Sequence, residues 1–509
     1  MFLHVTVLLL VLSLAPCLDA ESTTTTCSLD QQNRDAHQRR DPCLQEMQYN
    51  ISGTQGSFWA YVEPDVNTMY NGNPPASTKV EFPKFNGFSV KFINMSNKRL
   101  ILKWVPFDKN QPPVQMSVML PFHEAGTASF PGHNFILTDE YDTEYHRFVI
   151  GDSPAEANLQ VYDPYRVEGP EDPVATERTL QQVLAPHERQ QYDQLRDTLL
   201  FHEQYQQFTG RSYLANYLRD PPRHFIWPVT HFGQQFWVTT PETHFTQLPP
   251  AQLLNPVTTD DTARHQNPVL TDYRDRDSQL NMTLTVLSVA PRVLEIPNFL
   301  SATEIQHILQ IATGMELSRS TVGNSEKDLQ KRQAAEVKTD TRTSFNSWLK
   351  REKSPVIDAI YRRAADLMRI DEALFREHTD SNDELKKKKS LAEQLQLVHY
   401  DPGQEYTAHH DFGYRDLKKN QKARFSTLLL YLNHEGLEAG ETTFPRWRNA
   451  ETFLPLKVKP QAGKAVLFYS QLPDGNFDDY SQHSAAPPTK GEKWLINLWT
   501  WSPYMDDDE

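Results

Sequence analysis

The chain has 509 residues, 51 Lys and Arg against 66 Asp and Glu, a formal charge of −15 and a pI near 5.7. At about 150 residues per domain there is room for roughly three domains, and 38% hydrophobic with 23% charged residues excludes both a disordered chain and a membrane bundle. The acidic balance excludes nucleic acid as a natural partner, because phosphate contact wants a basic surface, and three cysteines exclude a disulfide scaffold or a Cys-rich zinc module.

An apolar run starts near Leu3, continues through Leu14, and ends at Ala15-Pro16-Cys17-Leu18-Asp19-Ala20. It is too short to span about 30 Å of hydrocarbon. Ala20 offers a small-residue cleavage site, so residues 1–20 read as a secretory signal peptide. An uncleaved N-terminal anchor is the alternative, since the n-region has no Lys or Arg and Leu18 is not small. No later stretch is long or apolar enough for a transmembrane span. Once Cys17 leaves with the signal, Cys27 and Cys43 remain, and in an oxidising lumen they are expected to pair; two free thiols are the alternative. Sequons at Asn50, Asn94 and Asn281 suit a glycoprotein of that compartment. The acidic tail, 505–509, carries no Lys/His-Asp-Glu-Leu retrieval signal. The expected location is the endoplasmic reticulum or Golgi lumen, with secretion or N-terminal anchoring as alternatives.

Residues 21–49 are polar and read as a lead-in. From 50 to 160 short alternating runs, such as Ser89–Ile93 and Leu100–Trp104, predict a small β-sandwich. Residues 161–283 form a helical and Pro-rich connector: Pro186 suits a first helical position before Glu188–Phe208. Eight prolines between 219 and 270 then keep regular elements short. Phe225-Ile226-Trp227 and Phe236-Trp237-Val238 are apolar enough to dock. Beyond 284, Ser301-Ala-Thr-Glu304 is a capping box opening one helix, and Ser354-Pro355 caps another. The run Lys386–Lys389 reads as a solvated loop. Strands are predicted at Leu395–Tyr400, Phe425–Leu432, Ala465–Tyr469 and Trp494–Thr500. Helices followed by strands suggest a β-barrel backed by helices.

In Tyr406-Thr-Ala-His409-His-Asp411 the i, i+2 spacing on an extended strand points His409 and Asp411 to one side and His410 to the other. His483 is the candidate for a second imidazole. Two His and one carboxylate on one face leave three positions of an octahedral ion open, as an oxygen-activating Fe(II) requires. Lys493, Leu495, Asn497 and Trp499 share parity on one strand, and a lone Lys beside a metal pocket suits the distal carboxylate of a small dicarboxylate.

Residues 284–504 resemble the 2-oxoglutarate- and iron-dependent prolyl 4-hydroxylases. The shared pattern runs in order: Leu395-Gln-Leu-Val-His-Tyr400-Asp-Pro-Gly403-Gln-Glu-Tyr406, His409-x-Asp411, Arg424-Phe-Ser-Thr427 and Tyr431-Leu-Asn433. It continues through Ala439-Gly440-Glu441-Thr442-Thr-Phe444-Pro445 to His483-Ser-Ala-Ala-Pro487 and Gly491-Glu-Lys493-Trp494. The resemblance implies a double-stranded β-helix (jelly-roll) in which His409, Asp411 and His483 bind Fe(II) and Lys493 holds the 5-carboxylate of 2-oxoglutarate. It places Tyr400, Thr442 and Trp499 around that cosubstrate and Arg424 near a peptide substrate. It further implies O2 as oxidant, ascorbate as reductant and a procollagen-proline-type reaction yielding succinate and CO2. Ala439 departs from the pattern, since relatives usually have Gly there.

Residues 88–137 resemble the β domain of the von Hippel–Lindau tumour suppressor protein, a hydroxyproline reader. The likeness rests on Val90–Ser96, Trp104, Phe107-Asp108 and Ser129-Phe-Pro-Gly132-His133-Asn-Phe135. It implies hydroxyproline contacts at Trp104, Ser129 and His133, with Val114 standing where that family has Tyr and Phe135 where it has Trp. The expected protein is a secretory-pathway prolyl 4-hydroxylase acting on a proline-rich polypeptide. A dioxygenase acting on another residue, or a non-catalytic proline- or hydroxyproline-binding protein, is the rival, and oligomeric state stays open.

Overall fold

A computed structural model describes residues 41–64, 88–166, 173–215, 218–219, 221–246, 279–320, 342–380, 383–388, 390–412, 423–447 and 455–502. Residues 1–20, expected as a signal peptide, Cys27 and the tail 505–509 lie outside the described residues.

The chain opens with a hairpin, β1 (Leu44–Ile51) and β2 (Thr54–Tyr61). Seven strands follow: β3 (Phe88–Asn94), β4 (Leu100–Val105), β5 (Val114–Met119), β6 (Glu124–Ser129), β7 (Asn134–Thr138), β8 (Glu144–Val149) and β9 (Leu159–Tyr162). They form two sheets, ordered β6-β3-β9 and β5-β4-β7-β8. Both sheets contribute to one apolar cluster, with Phe92 from β3, Leu102 from β4 and Phe135 from β7 at its centre. Helices α1 (Pro173–Val183) and α2 (Pro186–Thr209) come next. Pro186 sits in the first turn of α2, the Glu188 carboxylate accepts from the Ala185 N–H, and Gly210 closes the helix at φ 73°.

The remainder is built on a nine-stranded sheet. It takes in β10 (Gln235–Pro241), β11 (Gln279–Ser288), β12 (Val293–Ile296), β13 (Ser318–Arg319), β14 (Phe345–Leu349), β17 (Leu395–Tyr400), β19 (Arg424–Tyr431), β23 (Ala465–Tyr469) and β26 (Lys493–Trp501). Strands β15 (His378–Asp380) and β16 (Asp383–Lys388) form a separate pair, so the lysine run lies largely in a strand and not in a loop. A four-stranded sheet, ordered β18-β24-β21-β22, contains β18 (Tyr406–His409), β21 (Thr442–Phe444), β22 (Leu456–Val458) and β24 (His483–Ala485). A last short pair joins β20 (Glu438–Ala439) to β25 (Pro488–Lys490).

Period-two alternation shows why the large sheet reads as continuous apolar runs. Leu428, Leu430, Leu467, Ile496 and Leu498 face a core shared with helices α3 (Ala302–Thr313) and α4 (Pro355–Met368), whereas Leu429, Tyr431, Val466, Phe468 and Leu495 face the small sheet. The central strands β19, β23 and β26 are buried on both faces. Both predicted caps are present: Ser301 and Glu304 make the reciprocal capping box, and the Ser354 hydroxyl accepts from the Ile357 N–H at 3.3 Å.

Two boundaries differ from the sequence reading. The supposed lead-in 21–49 contains most of β1, and the hairpin packs with Phe201, Tyr205 and Tyr213 of the connector and Phe412 and Phe477 of the C-terminal region, not with the β module. The connector contributes β10 to the large sheet, and its Trp227 docks by donating to the Leu367 carbonyl at 3.1 Å. Trp237, expected to dock, is 62% exposed. Of the sequons, Asn50 and Asn281 are exposed. Asn94 is buried, its amide donating to the Lys98 and Leu120 carbonyls and its oxygen accepting from Ser96. That turn leaves it closed to a glycan. Cys43 is disulfide-bonded and buried. Among the described residues no helix is long and apolar enough to cross a membrane.

One fully buried ion pair locks α3 to α4. Arg363 donates to both oxygens of Glu304 at 2.9 Å, both side chains are 0% exposed, and the guanidinium lies 4.4 Å from the Phe245 ring. Removing one partner leaves an uncompensated buried charge, so Glu304→Ala is expected to lower unfolding free energy by about 3–5 kcal/mol. A denaturant titration showing less than about 1 kcal/mol, the scale of an exposed pair, would contradict this.

Candidate active site

The site lies between the two sheets. Strands β18 and β24 pair antiparallel with His409 directly opposite His483, and Asp411 follows two residues after His409. The two imidazole centroids are 4.4 Å apart. Asp411 Oδ1 is 3.7 Å from His409 Nε2, and Asp411 Oδ2 is 3.5 Å from His483 Nε2. The three ligand atoms all lie within 4.8 Å of one another. Adjacent ligands at about 2.0–2.2 Å from a divalent ion are about 3 Å apart, so the triad needs only a small contraction.

The same backbone device aims both imidazoles. His409 Nδ1 is 2.8 Å from the Thr407 carbonyl and His483 Nδ1 is 3.0 Å from the Ser481 carbonyl, leaving each Nε2 pointing at the shared centre. Tyr406 stacks on His409 at 3.5 Å, and the Thr427 hydroxyl donates to Asp411 Oδ2 at 2.6 Å. Burial and the neighbouring His483 push the His409 imidazole well below its ordinary value, and burial lowers His483 too. For Asp411 burial acts upward, but His483, His409 and Arg424 hold the carboxyl well below its usual range. Two neutral imidazoles and one carboxylate are already in their ligating forms. His410 turns away, as the spacing predicts, and its Nε2 meets the Asp479 carbonyl at 2.9 Å.

Arg342, Tyr400, Tyr406, Leu429, Thr442 and Trp499 join the triad in lining a narrow cleft. Lys493 sits across the ladder from Tyr400. It is 0% exposed, its ammonium lies 5.3 Å from the Tyr400 ring and 6.0 Å from the Tyr431 ring, and it has no hydrogen-bond partner among the described residues. Burial pushes its pKa down to about 7, against the weaker upward pull of Glu441. The Thr442 hydroxyl accepts from Tyr431 at 2.8 Å beside it. An unpaired buried cation next to a ligand triad fits an anionic ligand.

Trp499, six residues further along β26 and so about 20 Å from Lys493, lies at the other end of the cleft. Arg424 covers its ring at 3.9 Å while gripping Glu393 through two bonds of 2.6 and 3.0 Å. Sequence reasoning missed Arg342, whose guanidinium lies 4.5 Å from the Tyr406 ring and whose Nη2 donates to Gln396 at 3.2 Å. It sits in a polar stretch without periodicity, joined to Tyr406 by one isolated bridge. Thr427 stands inside a quoted run, yet nothing local marks it as a partner of Asp411. A second cluster, His399, Asp401 and Glu492, has its two carboxylates 48% and 59% exposed and lies outside the cleft.

Ala439 adopts φ 62°, next to Gly440 at φ 79°. The left-handed conformation costs a non-glycine residue about 1–2 kcal/mol, partly offset by the flexibility a glycine would add to the unfolded chain. Ala439→Gly is therefore expected to raise stability by about 0.5–1 kcal/mol; an unchanged or lower melting temperature would contradict the assigned strain.

The profile of the 2OG-Fe(II) oxygenase superfamily matches residues 395–501, which contain all three triad residues and Lys493. The chain is 32% identical over 227 residues to probable prolyl 4-hydroxylase 3 of Arabidopsis thaliana, covering 42% of this chain and 70% of that protein. Probable prolyl 4-hydroxylase 9 of the same plant is 31% identical over 226 residues, with 42% and 70% covered. Among solved structures, a viral collagen prolyl hydroxylase of Paramecium bursaria Chlorella virus-1 is 21% identical, covers 42% of this chain and 96% of its own, and has a TM-score of 0.29.

If the triad is a metal site, the full chain binds Mn2+ as a stand-in for Fe(II), and His409→Ala, Asp411→Ala and His483→Ala each abolish binding while circular dichroism stays native. Retention of wild-type affinity by all three variants would rule the triad out.

Proposed function

This chain belongs to the prolyl 4-hydroxylase family of 2OG-Fe(II) oxygenases, and from that premise we propose a secretory-pathway enzyme of the procollagen-proline type. It couples oxidative decarboxylation of 2-oxoglutarate to 4-hydroxylation of prolines in a proline-rich polypeptide. The observation that carries this reading is the convergence of His409, Asp411 and His483 on a cleft beside the unpaired Lys493. The nine- and four-stranded sheets are read as the two walls of a double-stranded β-helix, and residues 88–162 as a small β-sandwich.

In this reading the triad holds Fe(II), and Lys493 binds the 5-carboxylate of 2-oxoglutarate with Tyr400 and Thr442 beside it. When bound, iron, 2-oxoglutarate and O2 supply the oxidising power that removes hydrogen from proline C4, with succinate and CO2 as by-products and ascorbate restoring Fe(II) after unproductive turnovers. The protein's part is orientation and dryness. Backbone carbonyls keep both imidazoles in one tautomer, Thr427 fixes one oxygen of Asp411, and Leu429, Leu495 and Ala485 wall the cleft against water. Peptide enters at the Trp499 end, where Arg424 and Arg342 supply charged edges. The disulfide at Cys43 favours an oxidising lumen.

The test is to incubate the full chain with Fe(II), 2-oxoglutarate and proline-rich peptides and map the site of a one-oxygen mass gain. Gain on proline, lost in His483→Ala, is expected. Gain on another residue would make it a dioxygenase of different specificity, and peptide binding without any gain would make it a binding protein.

Lys493 gives a second test with a definite sign. In the empty pocket the ammonium loses its proton near pH 7, and a bound carboxylate raises that pKa, so above 7 binding must take up a proton. Affinity for 2-oxoglutarate is expected to fall up to tenfold per pH unit above 7. Lys493→Ala should be about ten- to hundredfold weaker below that pH, the loss of a charge-assisted contact of about 1.5–3 kcal/mol, and flat above it. A wild-type profile that is itself flat would assign the carboxylate elsewhere.

A second reading, for the β module, rests on the meeting of Trp104 with Ser129 and His133, a pair from a later turn of the chain. The Ser129 hydroxyl is 3.1 Å from His133 Nδ1, Trp104 lies 5.7 Å from the His133 ring, and Phe107, 70% exposed, covers His133 from outside. Trp104 Nε1 is buried without a partner among the described residues. This group is a small aromatic box with hydrogen-bonding capacity, suited to a proline or hydroxyproline ring. Val114, opposite Trp104, is exposed, and Phe135 is committed to the core against Phe92 at 4.8 Å, so the box lacks two polar aromatic contacts. Binding is expected in the micromolar to millimolar range and to vanish in Trp104→Ala, as measured by titrating the full chain with matched proline and hydroxyproline peptides.

A further inference from the structure

The thirteen residues from Ser470 to Gln482 connect a strand of the large sheet to the strand carrying a triad residue. A connection of that length ordinarily runs over the surface. Here it is buried throughout, with Ser470, Asp474, Asn476 and Gln482 at 0% exposure. Much of what covers it comes from the N-terminal half of the chain, and His410, Phe412 and Arg446 close it from the triad's side.

Its three carboxylates are each held by N-terminal elements. Asp474 Oδ2 accepts from the Tyr61 N–H at 2.8 Å and the Tyr205 hydroxyl at 2.7 Å, from β2 and α2. Asp478 accepts from Arg211 at 2.9 Å, and Arg211 also pairs with Glu63. Asp479 Oδ1 accepts from the Ser89 N–H at 3.0 Å, and its Oδ2 accepts from Asn158 Nδ2 at 3.1 Å, both in the β module. Asp479 differs from the other two in what else it grips. His410 Nε2 lies 2.9 Å from its carbonyl oxygen and 3.4 Å from its carboxylate, and Arg446 pairs with it from β21's side. His410 stands between His409 and Asp411 in sequence, and His483 follows Asp479 by four residues. One side chain therefore touches the β module, the segment bearing two triad residues and the loop delivering the third.

We infer that the β module is a fixed part of the catalytic scaffold, and that Asp479 is a positioning residue through which it sets the spacing of His409, Asp411 and His483. The inference rests on the triad being the metal site. It assigns the N-terminal strands a role that needs no peptide binding: Ser89 and Asn158 anchor Asp479, and Asp479 fixes the backbone on both sides of the ligand set. Partners one shell out from a metal set its affinity by about 10- to 100-fold. Asp474 supplies an internal control, since it is buried in the same loop and bonded to N-terminal elements but has no bond to His410.

The experiment compares Mn2+ affinity, by calorimetry or electron paramagnetic resonance, in the full-length wild type, Asp479→Ala, Asn158→Ala and Asp474→Asn. Asp479→Ala is expected to weaken binding about 10- to 100-fold with little change in the KM for 2-oxoglutarate. Asn158→Ala leaves every charge in place and should weaken binding several-fold at an unchanged fold, so it decides the matter if Asp479→Ala does not fold. Asp474→Asn should lower the melting temperature and leave Mn2+ affinity near wild type. Wild-type affinity in Asn158→Ala and in any folded Asp479→Ala, or an equal loss in Asp474→Asn, would overturn the inference. A wild type that binds no Mn2+, or binds it equally well as His483→Ala, would instead defeat the metal-site reading beneath it.

Discussion

The site depends on one antiparallel register, the pairing of β18 with β24 that sets His409 opposite His483. Side chains on paired strands alternate with period two, so a slip of one residue would send either imidazole to the wrong face. The register is backed on both sides. Tyr406 stacks on His409, while Phe468 packs edge-on against His483 at 4.6 Å. The first contact holds the ring within its own strand, and the second, made between strands, does not survive a slip. The ligand geometry is thus a consequence of sheet packing, and the hydrogen bonds to Thr407 and Ser481 only select which ring nitrogen faces inward.

Charge at the site divides cleanly between its two ends. At the triad, burial and mutual proximity keep both imidazoles neutral and the carboxylate ionised, so the centre is prepared for a cation. At Lys493, burial without a partner leaves a group that gains its full charge only beside an anion. The two ends therefore ask for opposite ligands, and a small molecule with a metal-chelating head and a distal carboxylate answers both at once. Nothing comparable is seen at the His399, Asp401 and Glu492 cluster, where solvent screens both carboxylates.

Much of the catalytic region is legible in the sequence because its determinants are local. The strands at 395–400, 424–431, 465–469 and 493–501 are apolar on both faces and the caps at Ser301 and Ser354 act within three residues, whereas the His409-x-Asp411 spacing, weak alone, gains its weight from the pattern around it. Lys493 is harder: only its parity with Trp499 marks it, and the missing partner that gives it meaning is a tertiary fact. Arg342 and Thr427 earn their positions entirely from strands far away in sequence. The hairpin at 44–61 was hidden for a related reason. Residues 44–49 of it read as polar lead-in and the rest as part of the β module, because Met47, Phe58 and Ala60 find their apolar partners some 150 residues later, in Phe201 and Tyr205.

The buried loop is the extreme case of that rule. Asp474, Asn476, Asp478 and Asp479 lie in a stretch whose composition says exposed turn, and a turn it would be in an isolated catalytic region. Each buried carboxylate without a partner would cost several kcal/mol, so these acids are tolerable only because β2, α2 and the β module arrive with donors already placed. That dependence runs both ways: Arg211 and Arg292 are equally buried cations whose partners, Asp478 and Asp41, belong to other parts of the chain. A region bound into the rest by reciprocal buried charges cannot be separated along the boundaries that composition suggests. The N-terminal elements and the region around the triad share these buried pairs, and the segment that joins them ends at a triad residue.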